Sequence, residues 1–331
     1  MYCGSCCRVW LFTNQIAVLQ SINVLINSHL FVGDFIVRAR EVHSIPNLNG
    51  AVTGIALLND RLYFCHPGNP NIAVCCPATF QFQQYINCYC SSCGYQSGIL
   101  QCPCYQQRDY LGWIKPHVTE LQHLAACDFN NCLYVSAHDT IYQRYHICKV
   151  AVGQNNTLSS WHVALLNAMP LGLSITSSHN LLAALTNNYL MEYSPDGQLI
   201  RQISLQPAGI TAPVHAVQLS NDQFGVTHHG PKHQFSILSS DGQQLVQSYR
   251  GDAGDMNGPS GIAVDERGRI FVADQRNNRI LVMDSKTLSA YPLPLPTDCD
   301  LDSPYSIQFD AVSRRLYIGE LSACRIVCCQ L

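Results

Sequence analysis

Apolar and polar positions alternate along this chain in short runs broken by turns, and the pattern recurs. The clearest copy reads Gly258-Pro259-Ser260-Gly261-Ile262-Ala263-Val264-Asp265, then the polar Glu266-Arg267-Gly268-Arg269, then Ile270-Phe271-Val272-Ala273-Asp274. After Gln275-Arg276-Asn277-Asn278 comes a third run, Arg279-Ile280-Leu281-Val282-Met283-Asp284. β-Branched and aromatic runs of this length, separated by Gly, Asn and Asp, read as antiparallel strands joined by hairpins. The second run of each copy carries a marker pair: Leu62-Tyr63, Leu133-Tyr134, Leu181-Leu182, Gln223-Phe224, Ile270-Phe271 and Leu316-Tyr317. Four of the five intervals between pairs lie between 42 and 48 residues, and the first is 71. Each pair follows a first strand: Gly54-Ile55-Ala56-Leu57, His123-Leu124-Ala125-Ala126, Gly172-Leu173-Ser174-Ile175, His215-Ala216-Val217-Gln218, Gly261-Ile262-Ala263-Val264 and Tyr305-Ser306-Ile307-Gln308. A strand-built repeat of this period predicts an all-β chain folded as a propeller, and six anchors predict six blades.

Ring closure and the long first interval both follow from the pattern. The last unit stops at a third strand, Arg325-Ile326-Val327-Cys328-Cys329. The apolar stretch Phe35-Ile36-Val37 through Val42 can supply the missing fourth, since an unclosed ring leaves two sheet edges unpaired. Residues 35–45 are thus expected as the outer strand of the sixth blade, with residues 35–331 forming the propeller. The first interval holds residues 87–112, which lack the blade pattern and are expected as a Cys-rich insertion on a loop. Residues 1–34 are expected as a leader. Within it Ile16, Leu19, Asn23, Ile26 and Leu30 form one short heptad stripe, which fits either a coiled-coil remnant or a lone amphipathic helix.

Composition narrows the function classes. Charged residues make up 12% of the 331 positions, about half the usual ~25%, and the net charge is −3. That balance gives no overall electrostatic footprint for nucleic acid, and the 19 Lys and Arg residues weigh against RNA as a partner. Arg267, Arg269, Arg276 and Arg279 form a local basic cluster in the fifth unit. No run of eighteen uncharged apolar residues exists, so no membrane span is expected. Arg8 is not followed by a compact apolar stretch with a small-residue cleavage site, which favours a cytoplasmic location.

The chain has 18 cysteines, and some cluster. Cys90-x-x-Cys93 and Cys102-x-Cys104, in the expected insertion, have a spacing one zinc ion can use. One or two disulfides, or free thiols, fit the same residues. Cys127 and Cys132 flank the tight turn Asp128-Phe129-Asn130-Asn131 and are expected to face each other across a hairpin.

The residues ending the second strands are expected at a common channel mouth. They are His66, Ala137-His138, Leu185-Thr186, His228-His229, Asp274 and Glu320, with Arg276 just beyond. Imidazoles and carboxylates from separate blades can bind a divalent metal. Against this, Asp274 can cap its own turn or pair with Arg279. No GxSxG, HExxH, phosphate-loop or dinucleotide pattern is present, and no residue is assigned a catalytic role.

From Gly258-Pro259 through Asn278-Arg279-Ile280 the chain closely resembles an NHL repeat: a Gly-Pro start, Val264-Asp265 ending the first strand, Val272-Ala273-Asp274 in the second, then Asn-Arg-Ile. The other units are degenerate copies. The resemblance, similar to the C-terminal propeller of tripartite-motif NHL proteins, implies a non-catalytic binding module. Its partner would be a protein, met through the mouth-face loops at His66, His138, His228, His229, Asp274, Arg276 and Glu320. The alternative implied is a metal-dependent hydrolase or lyase of the six-bladed class, gluconolactonase-like or amidating-lyase-like, with a metal at the mouth.

Overall fold

In the computed structural model the described residues are 37–45, 48, 50–67, 69, 71–86, 89–90, 119–139, 144–153, 157–165, 168–249 and 251–331. The chain divides into Met1–Arg38 and Ala39–Leu331, and the second unit is a six-bladed propeller. Blade 1 comprises Gly54–Leu58, Arg61–Cys65, Ile72–Cys75 and Phe82–Ile86. Blade 2 comprises Thr119–Cys127, Cys132–Asp139, Arg144–Ala151 and Thr157–Leu165. Blade 3 comprises Pro170–Ile175, Leu181–Leu185, Tyr189–Tyr193 and Leu199–Ser204, and blade 4 Pro213–Gln218, Phe224–His228, Gln234–Leu238 and Leu245–Ser248. Blade 5 comprises Pro259–Val264, Arg269–Asp274, Arg279–Asp284 and Ala290–Pro292. Blade 6 comprises Pro304–Asp310, Arg315–Glu320, Ile326–Gln330 and, from early in the chain, Glu41–Ile45.

The blades are held by what lies between them. Second strands such as Leu181–Leu185 and Arg269–Asp274 are buried on both faces, because each sheet has a neighbour on either side. Apolar layers fill the seams. Tyr63, Val74 and Leu121 of blade 1 and its neighbour meet Leu133 and Val150, and Phe235 and Ile237 of blade 4 meet Ile270 and Val272 of blade 5. The marker aromatics Tyr63, Tyr134, Phe224, Phe271 and Tyr317 are fully buried in these layers, which explains why their spacing reports the blade period.

Closure follows the expected connection over a shorter stretch. Glu41–Ile45 pairs antiparallel with Ile326–Gln330, with Glu41 opposite Gln330 and Ile45 opposite Ile326. The strand begins at Glu41 and not at 35, because its partner is five residues long. Ala39 and Arg40 lead in, donating backbone hydrogen bonds to the carbonyls of Pro294 and Gln330 at 3.1 and 2.8 Å. One strand was not anticipated. Tyr89–Cys90, placed within the expected insertion, pairs in parallel with Thr157–Leu158 and adds a fifth strand to the edge of blade 2. Residues 87–88 and 91–112, the rest of that insertion, and the leader at 1–34 lie outside the described residues.

Antiparallel pairing sorts the connections onto two faces. The ends of second strands and the segments leading into first strands share one, the mouth face. The turns joining first to second strands, and third to fourth, share the other, the turn face. First-to-second turns repeatedly end in a left-handed residue: Asn131, His179, Asp222, Gly268 and Arg314, at φ between 47° and 77°. Blade 1 uses Asn59-Asp60 instead, both with positive φ, the two-residue geometry that matches strand twist.

Candidate functional site

At the mouth face the two carboxylates of the expected column are spent inside their own blades. Asp274 ends the second strand of blade 5, directly opposite Arg279 on the third. Its fully buried carboxylate accepts from Arg279 Nε at 2.7 Å, Asn277 Nδ2 at 2.8 Å and the backbone N–H of Asn257 at 2.7 Å. Glu320 repeats the device in blade 6, accepting from Arg325 Nε and from the backbone N–H of Asp302 at 2.7 Å. In each case the segment entering the blade is fastened to the start of the third strand. A buried carboxylate needs such partners, and the entering backbone N–H needs an acceptor.

The histidines are engaged differently. His228 is buried, and its Nε2 shares a hydrogen bond with Ser236 Oγ at 3.0 Å, which continues to Ser248 Oγ at 2.9 Å. Burial pushes its imidazole down to about 4. His66, also buried and lowered for that reason, lies 3.4 Å from Asn69 Nδ2. His138 stacks on Tyr145 at 4.6 Å, with Glu120 4.0 Å away. His229 donates from Nε2 to Pro259 O at 2.9 Å and lies 5.0 Å from the ring of His233. His66 and His228 stand in blades 1 and 4, on opposite sides of the ring. Among the described residues, no three His, Cys, Asp or Glu side chains are grouped to hold a metal. The side chains of Cys90, Cys93, Cys102 and Cys104 lie outside the described residues. Cys127 and Cys132 do stand opposite each other, as free thiols, and Asn130 Nδ2 donates to Cys127 Sγ at 3.1 Å.

The mouth loops of blades 4 and 5 converge at one seam. His233 Nδ1 accepts from the backbone N–H of Gly258 at 2.9 Å, and Arg276 lies against Gly258 with its head exposed. From this seam a groove of about 860 Å³ runs along the outer side of blade 4, past Lys232, His233, Gln247, Tyr249 and Met256, and reaches Leu245 and Val246 at the start of the fourth strand.

The channel holds an arrangement that the strand-end column did not reveal. Equivalent positions in the six first strands read Gly54, His123, Gly172, His215, Gly261 and Ser306. Glycine alternates with a polar side chain, and each glycine is where the next blade comes closest. A Cβ on Gly172 would meet His215 Cδ2 and Val214 O at 2.5 Å, and one on Gly261 would meet Tyr305 O at 2.6 Å. His215 Nδ1 accepts from the backbone N–H of Ile262 at 2.9 Å, so the ring proton sits on Nε2 and is donated to Leu173 O at 3.0 Å. One side chain thus ties blades 3, 4 and 5. His123 Nδ1 accepts from Leu173 N–H at 3.3 Å, with its ring 5.0 Å from that of His215. Burial lowers His215 to about 4; burial first, and the His215 ring second, hold His123 well below the usual imidazole range. Below them a cavity of about 250 Å³ is lined by the later residues of the first strands, such as Ala126, Ile175, Gln218, Val264 and Phe309.

The comparisons fit this geometry. Residues 256–283 match the NHL repeat. A stretch of 60 residues is 38% identical to NHL repeat-containing protein 2 of Gallus gallus; it covers 17% of this chain, and the match spans only 8% of that relative's length. Virginiamycin B lyase from Staphylococcus aureus superimposes with a TM-score of 0.55 at 11% identity, over 88% of this chain and 99% of that one. The WD40 propeller domain of Doa1 does so with a TM-score of 0.54 at 10% identity, over 87% and 96%. At those identities the solved structures establish the fold alone. The chain is a six-bladed β-propeller carrying an NHL repeat in its fifth blade. No helix among the described residues is long and apolar enough to cross a membrane.

Proposed function

We propose that this propeller is a non-catalytic binding module for a protein partner, engaged from the mouth face at the seam of blades 4 and 5. The observation that carries the reading is a division of labour at that face. Asp274, Glu320 and His228 are committed to bonds within their blades, while Arg276 and Lys232 project beside a groove of about 860 Å³. A groove of that size accommodates a peptide segment, and arginine is enriched at protein interfaces. Solved structures of this fold include a WD40 domain and a lyase, so the test must separate a binding role from an enzymatic one.

Peptides selected for binding to the purified chain are expected to lose affinity by roughly tenfold when Lys232→Glu and Arg276→Glu are combined. Unchanged affinity removes the mouth seam as the binding surface. The metal-dependent hydrolase or lyase reading predicts stoichiometric divalent metal that disappears in His66→Ala and His228→Ala. Finding it replaces the binding reading. Zinc lost instead in Cys90→Ser marks a structural site in the Cys-rich segment.

A further inference from the structure

The large hydrophobic side chains that stand exposed among the described residues gather away from the mouth. Phe129 and Val312, 74% and 94% exposed, sit in first-to-second turns. Phe82, Leu199 and Leu245 begin fourth strands, and Tyr85 stacks on Phe82 at 4.8 Å. Ile200 and Val246 come next in their strands, about half exposed, at 50% and 51%. Both are the extra residue of a bulge: Tyr193 pairs with Leu199 and Glu192 with Arg201, while Leu238 pairs with Leu245 and Ile237 with Gln247. A bulge re-aims the side chain it inserts. Here the same irregularity turns an aliphatic residue outward on two neighbouring blades.

These positions are linked across blades 2 to 4. Phe129 of blade 2 stacks flat on His179 of blade 3 at 4.2 Å. Arg201 Nη1, beside Ile200, donates to Ser240 O in the turn of blade 4 at 3.1 Å, and Gly242 of that turn lies against Ile203. The turn then runs directly into Leu245 and Val246.

The fully exposed charge around this strip is acidic. Asp128, Asp196, Asp222 and Asp241 are exposed in the turns of the same three blades. Asp241 also shapes its turn by accepting from Gln243 N–H at 3.0 Å, and Asp222 accepts from Gln218 Nε2 at 3.0 Å, but both carboxylates remain at the surface. The basic side chains here have partners: Arg201 pairs with Glu192 at 2.5 Å, and Lys149 Nζ bonds Pro195 O at 2.9 Å. In a chain with a net charge of only −3, four exposed carboxylates beside apolar groups make a concentrated acidic field.

We propose that the turn face of blades 2 to 4 is a docking surface for a basic, apolar-anchored segment of a protein partner. Its aliphatic side chains would seat against Leu199, Ile200, Leu245 and Val246, and its lysines or arginines would face the turn aspartates. Exposed apolar groups rimmed by charge mark interaction sites, and the sign of the rim selects a cationic partner. This surface meets the blade 4 groove at Leu245 and Val246, which line both, but its aspartates and Leu199-Ile200 stand apart from Lys232 and Arg276 at the mouth.

The test uses a fluorescein-labelled peptide of alternating lysine and leucine, with its glutamate–leucine counterpart, titrated against the full chain. The cationic peptide is expected to bind, and the acidic one to fail. Affinity is expected to fall roughly tenfold in Leu199→Ser/Ile200→Ser and again in Asp196→Asn/Asp222→Asn/Asp241→Asn, and to weaken as salt rises. Lys232→Glu/Arg276→Glu should leave it unchanged, which keeps the outcome distinct from the mouth-face test. Equal binding of both peptides, or no loss in either set of variants, overturns the proposal. So does a concentration-dependent dimer dispersed by Leu199→Ser/Ile200→Ser, since a second copy of the chain then covers the strip. All variants lie at exposed positions, and unchanged thermal unfolding checks that they fold.

Discussion

The two faces of the ring use most of their carboxylates differently, the exception being Asp265 in the first-to-second turn of blade 5, which is buried and accepts from Arg269 Nε at 2.5 Å. On the mouth face Asp274 and Glu320 are fully buried and fasten incoming loops to third strands. On the turn face Asp128, Asp196, Asp222 and Asp241 stay exposed. The difference follows from the length of the connections. Turns between adjacent strands satisfy themselves through short local bonds, such as Gly242 N–H to Ser239 O at 2.8 Å. Segments that cross from one blade to the next carry buried backbone that needs outside acceptors. A carboxylate at a second-strand end is therefore weak evidence for chemistry here, because blades 5 and 6 use Asp274 and Glu320 there to hold entering backbone.

Three measurements would break or sharpen this contrast. The largest effect is expected for Asp274→Ala, which leaves Arg279 and the Asn257 N–H without their acceptor. Urea unfolding should show a loss of about 3–5 kcal/mol, the range for breaking a buried pair. A loss near zero would mean the mouth carboxylates are not structural. Next comes acid. His215 is held neutral to about 4 while the unfolded chain protonates near 6.5. Stability should be intact above pH 6.5 and decline as pH falls toward 4, by about 3 kcal/mol from this residue. In His215→Gln the decline over that window should be shallower; an unaltered slope would show that the channel imidazole does not set it. The smallest effect belongs to the turn face. Phe129→Ser and Val312→Ser should each change stability by no more than about 0.5 kcal/mol, because these side chains are exposed. A larger loss in either would show that the exposed apolar side chains of these turns serve the fold.

The fold was legible because its signal is a period. Tyr63, Tyr134, Phe271 and Tyr317 occupy one structural position, Phe224 falls one residue before it, opposite Gln218 as Ile270 is opposite Val264, and burial between sheets keeps both positions apolar or aromatic in these blades. The closing strand was legible from an edge that needed a partner, although its start at Glu41 depends on the length of Ile326–Gln330, which sequence pattern does not set. The short strand Tyr89–Cys90 was not visible, since two residues carry no period. The site was less legible. The column His66, His228, Asp274 and Glu320 is real as a set of positions, yet where each side chain turns depends on partners such as Ser236, Arg279 and Arg325 that the column does not contain. The glycine–histidine alternation of the channel was present in the first strands as written. It emerges only when the six units are aligned by their strand pairing, which places Gly172 and His215 at equivalent positions. The exposure of Ile200 and Val246 depends on a bulge, and a one-residue shift in register leaves no mark on composition.

The pairing of Glu41–Ile45 with Ile326–Gln330 has a mechanical consequence. Glu41 and Gln330 face each other at one end of the ladder, so a force applied through those two residues acts across the hydrogen bonds one rung at a time. The closed ring would open under such a directed pull like a zip, beginning at blade 6 and leaving the other five sheets intact at first.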